Sequence, residues 1–162
     1  MKIDVDIEEP WPASDWEDLV DRASASLKQV APELANPRLS ASLLFTSNDE
    51  VHTLNREWRE RDKPTNVLSF PMLERDELLG LAPEGPPVLL GDVALAYETC
   101  AREAAEKGVP LHNHAAHLVI HGLLHLAGHD HERGTADAEA MEELEVKALA
   151  LIGVPDPYEP RN

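Results

Sequence analysis

From Ala115 to Gly128 the chain reads AAHLVIHGLLHLAG, and every side chain there is apolar or absent except His117, His121 and His125. Pro110 opens this segment as a helix and Gly128 ends it, since proline suits a first turn and glycine a last one. A helix that is apolar around its whole circumference belongs at the centre of its domain, so other elements must wrap it on every side. Three imidazoles carried into such a core need partners, because an unsatisfied buried polar group costs about 1–3 kcal/mol.

The rest of the chain supplies those elements. Ile3, Val5 and Ile7 alternate with charged residues, as in a half-buried strand, and Leu39 to Thr46, Asn66 to Phe70 and Val88 to Tyr97 read as three more. Ser14 and Glu17 have the form of a capping box, followed by Trp16, Leu19, Val20, Ala23, Leu27 and Val30 at helical spacing up to Pro32. Ser47 and Glu50 repeat that signal before a helix with Val51, Leu54 and Trp58 on one face, closed by Pro64. The stretch from Pro71 to Pro87, with Gly80, Pro83, Gly85 and Pro86, reads as a long loop. Glu98 to Lys107 is a helix ended by Gly108, and Thr135 to Ile152 is another, with Met141, Leu144, Ala148, Leu151 and Ile152 facing inward.

Strands and helices alternate early and helices accumulate late. The expected fold is therefore α/β of the α+β kind, a mixed sheet of about four strands covered by helices, with a central buried metal-binding helix. Its strand order cannot be read from this pattern. The 162 residues suit a single domain, 1–162, with 155–162 as a loosely held tail.

Charge and cysteine usage narrow the function. A formal charge of −17 disfavours non-specific binding of nucleic acid, which rests on neutralising phosphates with Lys and Arg. The one net-basic island runs from Arg56 to Lys63, where Arg56, Arg59, Arg61 and Lys63 outnumber Glu57, Glu60 and Asp62. Acidic residues crowd the first 21 positions, and Glu139, Glu142, Glu143 and Glu145 crowd the last helix. Cys100 stands alone, so no disulfide framework exists and a reducing compartment is expected. The acidic start MKIDVDIEEP lacks the features of a signal peptide, and no apolar run approaches the roughly 20 residues that span a bilayer. The expected location is the cytoplasm, with no membrane partner.

His121 and His125, four apart on one helix face, have the spacing at which two imidazoles reach one tetrahedral zinc. Gly128 lets the chain turn, and His131 follows where a reversed chain offers a third nitrogen. Three protein ligands leave the fourth position of a catalytic zinc ion open, whereas a structural zinc takes four, often cysteines. His129 or Asp130 could supply a fourth ligand, and Asp130 could instead orient an imidazole. The spacing His-x3-His-x2-Gly-x2-His is that of the metzincin peptidases, but Gly122 stands where those enzymes carry their glutamate base. That makes peptide hydrolysis the second choice. The glycine suggests an open space beside the metal, wide enough to admit a phosphate with its sugar.

Three blocks together resemble the bacterial YbeY family of single-strand-specific endoribonucleases and rRNA maturation factors: HGLLHLAGHDH from His121, LNREWRERDKPTNVLSFP from Leu54, and LLGDVALAYE from Leu89. They fall in the family's order, and its signature has glycine after the first ligand, as here. The resemblance implies one zinc per chain on His121, His125 and His131, a functional arginine at Arg59, and a histidine often found at the position of His117. It also implies action on ribosomal RNA rather than DNA, including the 3′ end of the small-subunit rRNA, and ribosome quality control with ribosomal or small-subunit protein partners. His129 departs from the tyrosine usual there. Without the resemblance, Arg59 reads as a surface ion pair with Glu57 or Asp62. The residues name no general base and leave both water and the RNA 2′-hydroxyl open as nucleophile. A third possibility, a non-enzymatic ribosome assembly factor with a stabilising zinc, would show ribosome association without cleavage.

Overall fold

The computed structural model describes residues 1–59, 65–129 and 134–158. The elements run β1 (Lys2–Ile7), α1 (Trp16–Val30), a 3-10 turn (Pro32–Ala35), β2 (Leu39–Thr46), α2 (Asn48–Arg59), β3 (Val67–Pro71), α3 (Arg75–Leu79), β4 (Val88–Ala96), α4 (Tyr97–Lys107), α5 (Leu111–Leu126) and α6 (Thr135–Leu151). The four strands form one sheet in the order β1-β2-β4-β3, with β1–β2 and β2–β4 parallel and β3–β4 antiparallel. This is the mixed sheet expected from the pattern.

Both faces of the sheet are covered, and the side chains say by what. Leu39, Ala41, Leu43 and Phe45 alternate along β2 and enter the main core with α1 and α5. On β4 the register shifts between Ser40 and Ala41 of β2, which pair with Leu89 and Gly91, so Leu90 is an extra residue. That bulge changes the alternation, and Leu90, Val93 and Leu95 thereby face the same core. Ala94 and Ala96 point to the opposite face, where Leu68 of β3 and Val51 of α2 complete a smaller cluster. α5 packs against β3, β4, α1, α4 and α6. Its Leu118, Val119, Ile120, Leu123, Leu124 and Leu126 are all buried, as an all-apolar helix requires.

Local expectations fail at four places. Asp15, not Ser14, precedes α1 and makes no side-chain cap; Ser14 Oγ instead pairs with His112 Nε2 at 2.7 Å, and the His112 ring stacks on Trp16. The stretch from Pro71 to Pro87 is not all loop, because Glu74 and Glu77 form a reciprocal capping box that opens α3 and buries Leu78. Trp58 is 71% exposed and does not share the buried face of Val51. On α6 Met141 and Ala148 are buried and Leu144 and Ile152 pack against the core as expected, but Leu151 is exposed, and Glu145 and Leu149 are buried in its stead. In the tail, the Tyr158 hydroxyl donates to Glu145 on α6, and residues 159–162 lie outside the described residues.

Candidate metal centre

Spacing of three, four and four residues sets His114, His117, His121 and His125 in a row along α5. Successive ring centroids are 6.2, 6.3 and 4.8 Å apart, the shortest step being His121 to His125 at an interplanar angle of 74°. The sequence marked three of these rings. His114 was passed over because it precedes the apolar run, yet it too is buried.

Each of the first three rings is tied to a carboxylate. His114 Nε2 lies 2.9 Å from Glu103 Oε1 on α4, and that oxygen also accepts Asn66 Nδ2–H at 2.9 Å. The bond pair joins α4 and α5 to the residue just before β3. Burial would raise the pKa of Glu103, but the hydrogen bonds from His114 and Asn66 prevail and lower it. Burial lowers the pKa of His114 against the pull of Glu103. His121 Nδ1 lies 2.8 Å from Glu145 Oε1, and His117 Nε2 lies 3.1 Å from the same oxygen. Tyr158 Oη donates to Glu145 Oε2 at 2.7 Å and stands 3.1 Å from His117 Nε2.

Counting donors fixes the tautomers. An ionised carboxylate only accepts, so His121 presents Nδ1–H and His117 presents Nε2–H to it. The Tyr158 proton is committed to Glu145, so its oxygen accepts from His117. Nδ1 of His117 is then the acceptor nitrogen, buried and without a hydrogen-bond partner among the described residues. Burial acts to raise the pKa of Glu145, but hydrogen bonds from His117 and His121 outweigh it and hold the carboxyl down to about 2. Tyr158 is pushed up, first by burial and then by the charge of Glu145.

Two glycines shape the helix around these rings. At Gly122 a Cβ would stand 2.7 Å from Val93 Cγ1, 3.2 Å from Val93 Cγ2 and 3.4 Å from Ser69 Oγ. The missing side chain therefore lets α5 lie close on β4 and β3. The expected open space for a phosphate is not at this position, because sheet side chains fill it. At Gly128 the chain turns with φ of 96°, a conformation glycine adopts without strain, as expected. Arg75, from the segment expected to be loop, pins this turn by donating to Ala127 O at 2.8 Å and to Glu33 Oε1 at 2.9 Å.

His129 follows that turn, with Nε2 buried and 3.9 Å from Glu33 Oε1. Burial, then the neighbouring Arg75 charge, lowers its pKa. Asp130 and His131 lie outside the described residues, and so does the Arg59 side chain, whose backbone closes α2. Among the described residues no group of three or more candidate ligands stands ready for a metal, and a three-histidine set needs His131.

What is described suits zinc. A proton held on Nδ1 of His121 leaves the lone pair on Nε2, the form in which imidazole binds a metal. The neighbouring donor, His125, is another imidazole on the same rigid, buried helix, and neutral imidazoles are good zinc ligands.

Sequence reasoning missed Glu145 and Tyr158. Glu145 was one of four glutamates in an acidic stretch, but it falls four residues after Met141 and three before Ala148, on the buried face. Tyr158, among the prolines of the tail, carried no signal.

Comparison with known proteins places these features in a family. The family model described as Endoribonuclease YbeY matches residues 4–153. A protein of Erythrobacter litoralis named Endoribonuclease YbeY is 62% identical over 162 residues, covering 100% of both chains. One of Novosphingobium aromaticivorans with the same name is 58% identical, covering 96% of this chain and 95% of its own. The fold is similar to the solution structure of TM1509 from Thermotoga maritima, with TM-score 0.60, 26% identity and coverage of 93% of this chain and 88% of that one.

Proposed function

Because this chain belongs to the Endoribonuclease YbeY family, it is a hydrolytic endoribonuclease, and we propose that it cuts single-stranded RNA at a zinc ion held by His121, His125 and His131. The observation that carries the zinc assignment is the pair of imidazoles on buried α5, 4.8 Å apart, one with its tautomer set by a buried carboxylate. When bound, zinc supplies Lewis-acid catalysis at a phosphodiester and a source of hydroxide near neutral pH.

The chain's own residues do the rest. α5 is packed against β3, β4, α1, α4 and α6, so His121 and His125 are held with the small tolerance that catalysis demands. Arg59, at the end of α2, binds the phosphate through paired N–H groups and stabilises the charge that builds during cleavage. Trp58 beside it is exposed, and a single-stranded base stacks on such a ring. Asp130, next to His131, orients an imidazole or moves a proton. The acidic surface is poorly suited to gripping long RNA alone, so a ribosomal or small-subunit protein delivers the substrate. The substrate is rRNA in the cytoplasm, in maturation of the small-subunit 3′ end and in ribosome quality control. No helix of the described residues is long and apolar enough to cross a membrane.

The test is incubation of zinc-replete protein with single-stranded RNA, structured RNA and casein, with and without chelator. Chelator-sensitive cutting of single-stranded RNA alone is expected. Casein turnover would restore the peptidase, and no cleavage of any substrate would leave the assembly-factor role.

A further inference from the structure

Glu145 sits on the buried face of α6 at 1% exposure, surrounded by the core that α5 and α6 share. A carboxylate is an expensive group to place there, and it survives only with a full set of donors. It has them: His121 Nδ1–H at 2.8 Å, His117 Nε2–H at 3.1 Å and Tyr158 O–H at 2.7 Å. Two come from the metal helix and the third from the chain after α6.

We propose that Glu145 is the positioning residue of the metal centre, fixing the tautomer and ring angle of His121, with Tyr158 clamping the far oxygen of the same carboxylate. The proposal rests on the reading of His121 as a metal ligand. Oε1 accepts a hydrogen bond from Nδ1–H of His121, which keeps the proton on Nδ1 and leaves Nε2 as the nitrogen that would hold the metal. Oε2 is held by Tyr158, which leaves the carboxylate little freedom to rotate away. His117, whose place in the family pattern had no assigned role, becomes intelligible as the third donor. Its bonds to both Glu145 and Tyr158 close the ring of contacts. The alternative is a plain staple between α5 and α6, which would hold the fold together without affecting the metal.

Zinc affinity separates the two. Partners that orient a ligand typically change metal affinity 10–100-fold. Full-length wild type, Glu145→Gln, Glu145→Asp, Tyr158→Phe and His121→Ala are titrated with zinc against a chromogenic chelator, and each is melted with and without zinc. The expected result is a zinc Kd raised about 10–100-fold in Glu145→Gln and partly restored in Glu145→Asp. Tyr158→Phe should raise it by roughly 10-fold, at the low end of that range. His121→Ala losing zinc while Glu145→Gln keeps wild-type affinity would overturn the positioning role and leave the ligand assignment intact. His121→Ala keeping wild-type affinity would instead remove the premise, and the proposal with it. Should Glu145→Gln fail to fold, Tyr158→Phe decides, because it leaves the His121 bond in place: an unchanged Kd there overturns the proposal.

Discussion

Gly122→Ala tests whether the glycine beside His121 serves the packing of α5 on the sheet or an opening for substrate. In an exposed helix the change would stabilise by about 1 kcal/mol, because alanine loses less backbone entropy. Here the new methyl would lie 2.7 Å from Val93 Cγ1 and 3.2 Å from Cγ2. Carbon atoms settle at about 3.5–4.0 Å, so the helix or the valine must move by roughly 1 Å. Val93 has little room to do so. Its χ1 is stiff, it is 2% exposed, and its strand is paired on both sides, with Leu43 and with Ser69. Overpacking of this kind costs about 1–3 kcal/mol, so the net effect is a destabilisation of about 0–2 kcal/mol. Removing the valine methyls should release the strain: in a Val93→Ala background, Gly122→Ala should recover the gain of about 1 kcal/mol. The coupling between the two changes is therefore about 1–3 kcal/mol. Urea unfolding of the four proteins in chelator, so that zinc does not add to stability, measures it. Additive effects, with Gly122→Ala stabilising both backgrounds equally, would refute the packing argument and reopen the space as a route for phosphate. A Gly122→Glu variant should lose RNA cleavage through damage to the fold.

Arg59→Glu should abolish RNA cleavage with zinc content and melting temperature near wild type; a collapsed melt would show that Arg59 holds the fold instead. Trp58→Ala should raise KM for single-stranded RNA by an amount worth about 1–3 kcal/mol, with little change in stability since the ring is exposed, and an unchanged KM would remove the stacking role. Acid should destabilise the protein through the His114–Glu103 pair. His114 has a lowered folded pKa, so as pH falls below the ordinary histidine value of about 6.5 the unfolded chain takes up the proton first and stability drops. Glu103, also lowered, contributes stability above the ordinary carboxylate value that is lost as pH falls through its folded pKa. Unfolding titrations should therefore show a shallower decline in Glu103→Gln than in wild type below about pH 4.5, where the Glu103 share is gone. Just below about pH 6.5 the decline should be steeper in the variant, because His114 loses the partner that raises its pKa. The Cys100 thiol, pushed up to about 12 by burial and then by Glu103, should react with a thiol reagent only when the protein unfolds.

The central helix was legible because nothing but core tolerates LVIHGLLHLAG, and the strands were legible where apolar residues alternate, as in β1 and β2. The strand order was not. Placing β4 between β2 and β3 depends on pairings across long separations, including the bulge at Leu90, that no local pattern encodes. α3 escaped notice because its N-cap is a glutamate rather than serine or threonine. Trp58 misled because helical spacing gives a face without saying where the neighbouring layer ends. At the site, the two histidines on α5 came from spacing and their environment from the apolar run. Gly122 was read by comparison with peptidases as a missing base, whereas its contact with Val93 is a matter of layer distance. Glu145 was lost among the acidic residues of α6, although its register with Met141 and Ala148 already put it inside.

The most direct test of the zinc endoribonuclease account is cleavage of a single-stranded RNA by wild type and by the His121→Ala, His125→Ala double variant, with bound zinc measured in the same preparations. Wild type should carry close to one zinc per chain, stop cutting in chelator and resume on zinc addition. The double variant should lose most of the metal and the cleavage together. Full zinc retention and undiminished cutting by the double variant would contradict the account.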